Sequence, residues 1–113
     1  MLEHIGDHHT CLEKQMYGYL TELGLVKGVD YYEQYSTGNY VLDFAFVISR
    51  NPFKGIDIEV DGDAWHNTPD QRRRDGFRTY KLHKHGWIVI RFKEEFTIDD
   101  VKLILSGNNI DHE

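Results

Sequence analysis

The sequence predicts an α/β fold of the α+β kind: a mixed β-sheet flanked by helices, in the order α-β-β-β-α-β-α. Three observations carry that prediction. Three strand-like apolar runs follow one another across short turn-forming stretches, the signature of an antiparallel meander. A helical segment with start and stop chemistry then separates the third run from a fourth, "WIVIRF", and a crossover of that kind lays the fourth strand parallel to the third. The chain has 113 residues, 40% of them hydrophobic, enough for one domain with a modest core.

The first element is a helix over residues 10–23. Thr10 and Glu13 fit a capping box, Leu12, Met16, Leu20 and Leu23 form an apolar stripe, and Gly24 supplies the stop. Residues 1–9, "MLEHIGDHH", read as a tail or connector, so the domain itself spans 10–113. "DYYEQYS" (30–36) alternates as a strand, "TGN" turns the chain, and "YVLDFAFVI" (40–48) is a strong β run. "RNP" turns it again into "KGIDIEV" (54–60). Thr68 and Pro69 give N-cap and N1 chemistry to a second helix that runs to about His85 and ends at Gly86. Residues 87–92 read as a fourth, buried strand, and Thr97 caps a last helix over 98–105.

Charge is unevenly spread. The net charge is −6, yet residues 71–93 carry eight basic residues against the single acid Asp75. A basic face beside an acidic pocket suits a polyanion and the divalent cations that accompany it; a solvated helix face is the plainer reading of such a run. The single Cys11 excludes a disulfide framework and a cysteine-based zinc site. No apolar run is long enough to span a bilayer and no signal peptide is present, so the expected setting is cytosolic.

The chemistry concentrates around "IEVDGDAWH" (58–66), where three carboxylates and a histidine share nine positions. Asp43 interrupts an otherwise apolar strand. Glu59 and Asp61, two apart, share one face of the third strand or its end. If the two strands are neighbours, Asp43 and Glu59 converge at the sheet's edge. Two buried carboxylates repel, and one is pushed to its protonated form unless a cation joins them; a hard divalent ion with oxygen ligands, Mg²⁺ above all, resolves the conflict. His66 is either placed for proton transfer beside such a metal or is a loop histidine bonded to a neighbouring carboxylate. Asp75 falls on one helical stripe with Thr79 and Leu82 and faces the sheet, where it orients His66 or pairs with Arg78 or Arg72. Glu13 has its capping box, and Trp65 is a wedge against a base or sugar, or a hydrophobic plug.

Taken together, "YVLDFAF", "IEVDGDAWH" and "RRRDGFRTYKLHKHGWIVIRF" resemble the very-short-patch-repair (Vsr) endonuclease group of the PD-(D/E)xK nuclease superfamily, and more closely still the related EDxHD homing endonucleases. The likeness covers residues 10–92. It implies a restriction-endonuclease-like fold and Mg²⁺- (or Mn²⁺-) dependent hydrolysis of phosphodiester bonds in double-stranded DNA. It implies Asp43, Glu59 and the Val60 carbonyl as metal ligands, His66 as the residue activating water, Asp75 as its support and Glu13 as the acid of the first helix. Asp61 stands where the superfamily usually has lysine. The zinc site and the mismatch-wedging segment of the repair enzymes have no counterpart here. Arg72, Arg73, Arg74, Arg78 and Lys81, with Trp65, form the expected DNA-contacting set. A homodimer, a further DNA-recognition domain in a longer parent chain, and a bacterial or phage-encoded intracellular setting complete the expectation. The competing classes are a non-catalytic nucleic-acid-binding or regulatory module on the same fold, and a hydrolase of small phosphate esters.

Overall fold

A computed structural model describes residues 11–60, 68–92 and 96–108. The elements are α1 (Cys11–Glu22), β1 (Tyr32–Thr37), β2 (Tyr40–Arg50), β3 (Phe53–Val60), α2 (Pro69–Lys84), β4 (Trp87–Phe92) and α3 (Ile98–Gly107). The order α-β-β-β-α-β-α is the one expected. The four strands form one sheet in the order β1-β2-β3-β4. β1, β2 and β3 pair antiparallel, and β4 pairs parallel to β3 with Ile56 beside Ile88 and Ile58 beside Ile90. Among the described residues no helix is long and apolar enough to cross a membrane.

Local chemistry accounts for the boundaries. The Thr68 hydroxyl accepts the Gln71 amide at 3.1 Å and Pro69 opens α2. Gly86, at φ +96°, ends it in a conformation that a side chain would strain. Thr97 and Asp100 close a full capping box on α3. The N-cap expected at Thr10 lies outside the described residues. β1 begins two residues later than expected, because Asp30 is occupied in a turn: its carboxylate accepts the Val26 amide at 2.7 Å.

The helices cover the two faces of the sheet. Met16 and Leu20 of α1 and Val101 and Leu105 of α3 pack on Phe44, Phe46, Ile56 and Ile58. Leu82 of α2 packs on the opposite face with Leu42, Ala45 and Trp87. There Trp87 lies against Gly55, where an added Cβ would meet the indole ring at 2.6 Å. Period-two alternation predicts that Leu42 and Phe44 share a face; instead they belong to opposite clusters. β2 therefore changes side at Asp43. Gln34, the β1 residue between the pairs Glu33–Phe44 and Tyr35–Leu42, has φ +50°, so the kink is shared by both strands.

Two expectations need correction. β4 is not a buried strand: it is the edge of the sheet, and only Trp87 in it is fully buried. Its apolar residues contact helices on both faces, but its outer backbone edge has no strand beside it among the described residues. Asp43 and Glu59 do not meet at the edge of the sheet either. They lie on the central pair, where the β2–β3 ladder ends at Phe44–Ile58.

Candidate active site

At that ladder end three carboxylates come together against α2. Ala45 pairs with Asp57 and Phe44 with Ile58, so the next positions along are Asp43 and Glu59. Asp57 and Glu59 share a face of β3 because they are two apart. The Asp43 carboxylate accepts the Val60 amide at 3.1 Å. Asp57 is fully buried, and neither of its oxygens meets a donor while all the carboxyls are ionised.

The counter-charge comes from α2. Arg78 donates to Glu59 at 2.9 Å and to the Val41 carbonyl at 3.0 Å. Its guanidinium lies 5.5 Å from the Tyr40 ring. The Arg78 and Glu59 side chains are only 19% and 13% exposed, so the pair is shielded from solvent and from salt.

One cation for three carboxylates leaves a protonation conflict. Burial pushes Asp57 up to about 9; the hydrogen bond it makes to Glu59 when protonated and the negative charge of Glu59 add to this, against Arg78. Asp43 is pushed up to about 7 by burial and by the Glu59 charge, with the Val60 amide opposing and the Glu13 charge adding. Burial also acts to raise Glu59, but hydrogen bonding from Asp57 and the charge and hydrogen bond of Arg78 hold it below the usual carboxylate range. Near neutral pH the proton therefore favours Asp57 over Asp43, and Glu59 is the ionised member. This is the conflict that a divalent cation relieves.

The donor chemistry fits a hard cation: Asp43 and Glu59 present carboxylate oxygens from adjacent strands, and the buried Asp57 carboxyl, when protonated, can bond Glu59 from behind. Among the described residues no group of three or more His, Cys, Asp or Glu side chains is already arranged around an ion position. Among the described residues Arg78 is the positive charge beside Glu59.

The other expected site residues are more scattered. Glu13 is buried on α1 at 7% exposure and its charge reaches Asp43. Asp75 is half-buried on α2, on the side of Thr79 and the buried Leu82. Arg72, Arg73, Arg74 and Lys81 are exposed along α2, while Arg78 turns inward. Arg73 bonds Asp70, and Arg74 donates to Gln71 at 3.1 Å. Asp61, Trp65 and His66 lie outside the described residues, as do Lys93 and the tail histidines.

Sequence reasoning missed Asp57 and the inward role of Arg78. The first was legible: in "IDIEV" the acids alternate with Ile and Val, which puts Asp57 and Glu59 on one face. The second had no local signal, because it depends on how α2 lies across the sheet.

Searches of curated proteins and of solved structures return no match. A family model does match: residues 12–104 fit REase_MTES_1575, a restriction endonuclease-like domain. That span takes in α1 from its second residue, every strand of the sheet, α2 and most of α3, and the chain belongs to this family of restriction endonuclease-like domains.

Proposed function

We propose that the chain is a Mg²⁺-dependent (or Mn²⁺-dependent) DNA endonuclease domain, the catalytic part of a homing endonuclease of the Vsr-like EDxHD kind. The observation that carries the reading is the meeting of Asp43 and Glu59 at the kinked end of the β2–β3 ladder, short of positive charge, in a chain of the restriction endonuclease-like family.

In this reading Asp43, Glu59 and the Val60 carbonyl hold the divalent cation. When bound, the cation polarises water and a phosphate oxygen and stabilises charge on the leaving oxygen. Asp57, protonated, bonds Glu59 and fixes its orientation. Arg78 neutralises Glu59 in the metal-free protein and would add a fixed positive charge beside the site with the cation bound. His66 takes the proton from the attacking water, with Asp75 as its orienting partner, and Glu13 adds negative potential behind Asp43. Asp61 stands where a lysine would supply charge, so that work falls to His66 or a second cation. Arg72, Arg73, Arg74 and Lys81 grip the backbone phosphates flanking the cut, and Trp65 contacts a base or sugar. Sequence choice comes from a second copy of the domain or from a further domain.

Incubation with supercoiled plasmid in Mg²⁺ and in EDTA tests the reading. Nicked or linear product in Mg²⁺ alone supports it. Binding without cutting under both conditions favours the non-catalytic module instead. Inertness toward DNA with turnover of a small phosphate ester favours the third class.

A further inference from the structure

We propose that a cavity beneath the C-terminal half of α2 receives one unpaired nucleobase of the nucleic acid engaged at the acidic site, an inference that rests on the nuclease reading above. The cavity is about 370 Å³ and is lined by Tyr35, Tyr40, Phe53 and Trp87, with Asn39 and Lys81 among its polar residues. That volume falls within the small-ligand range of about 300–1,000 Å³. It admits a single ring system with its sugar and excludes a duplex.

The walls are suited to a flat ring. Phe53 sits 4.9 Å and Tyr35 5.8 Å from the Trp87 ring, centroid to centroid, so the aromatic side chains brace one another. Trp87 is itself seated on Gly55, where any Cβ would displace it. Base–aromatic stacking is strong and tolerant of sequence. The charge points the same way: among the described residues none lining the cavity is acidic, while Lys81 and His85 both line it. A cationic ligand would find no counter-ion there, and a nucleotide phosphate finds Lys81. The Asn39 amide offers both a donor and an acceptor to a base edge.

The cavity adjoins the acidic site. Tyr40, one of its walls, lies 5.5 Å from the Arg78 guanidinium, which bonds Glu59 at 2.9 Å. A base held in the cavity is therefore separated from Glu59 by the Tyr40 and Arg78 side chains. Enzymes that handle single bases extrude them from the stack into such pockets.

The test reads binding in EDTA, without cleavage. ¹H–¹⁵N spectra are recorded while dAMP, and separately deoxyribose 5-phosphate, is titrated into the protein. The proposal expects dAMP to move the Trp87 indole N–H and the Asn39 side-chain amide, and deoxyribose 5-phosphate to move neither. Asn39→Ala, at an exposed position, should weaken dAMP binding without altering the fold. Tyr40→Leu should weaken it by about 5- to 160-fold, the range for losing one stacking partner. Shifts confined to Lys81, or equal shifts with the base-free phosphate, would overturn the proposal, as would unchanged affinity in both variants. Plasmid cleavage by a protein that fails this test would leave the nuclease reading standing and remove only the pocket.

Discussion

Asp57 offers the sharpest test of the electrostatics, because a fully buried carboxyl next to two others must carry its proton into the folded state. Its folded value of about 9 stands far above the unfolded value of about 4. Between those limits the folded protein binds one more proton than the unfolded chain, so stability falls as pH rises. The contribution is complete below the unfolded value and is lost as pH rises through about 9. One proton corresponds to about 1.4 kcal/mol per pH unit, or about 2.7 kcal/mol between pH 6 and pH 8. Asp43, at about 7, adds to the fall in the lower half of that range. Asn at position 57 keeps a donor for Glu59 and cannot ionise. Urea unfolding of the metal-free protein at pH 6, 7 and 8 should show the slope in the wild type, and Asp57→Asn should remove its one-proton part. A wild-type stability that is flat over this range, or an equal slope in the variant, would refute the assignment of the buried proton to Asp57.

Three further outcomes are expected. Arg78→Met leaves Glu59 without its cation and should cost about 3–5 kcal/mol in metal-free urea melts; adding Glu59→Gln should recover most of the loss, and independent effects of the two changes would contradict the pairing. Neutralising Arg72, Arg73 and Arg74 together should weaken binding to all duplex sequences alike and flatten the log–log salt slope by about 2.7; an unchanged slope would return these arginines to a solvated helix face. His66→Ala should lower single-turnover cleavage by about 10²–10⁴-fold with little change in metal affinity and with loss of the rising pH limb, whereas a structural loop histidine would lower the melting temperature and leave the rate of the folded fraction intact.

The elements most legible in the sequence were those bounded by their own residues. Thr68, Pro69 and Gly86 delimit α2 by local hydrogen bonding and backbone freedom, and "WIVIRF" coincides with β4. The parallel placement of β4 followed from the helical crossover through α2 that joins it to β3. Its position at the edge was harder to see, since an edge strand covered by helices on both faces carries the same unbroken apolar run as a central one. The same divide runs through the site. Asp43 and Glu59 stood out as charges in apolar strands, and their convergence followed from strand adjacency. The switch of face at Asp43 lies opposite Gln34 of another strand, and the inward turn of Arg78 follows from how α2 lies across the sheet. Neither leaves a trace in local spacing. For Arg78, membership of a basic run pointed to phosphate contact, while packing gave it a carboxylate.

The most direct measurement of the central claim is plasmid cleavage in Mg²⁺ by the wild type and by Asp43→Asn, each with a melting curve in EDTA. Removing the Asp43 charge takes away one ligand for the cation and also relieves the repulsion with Glu59. The account predicts a variant that has lost cleavage and melts at the wild-type temperature or higher. A folded Asp43→Asn protein that cuts at the wild-type rate would contradict it.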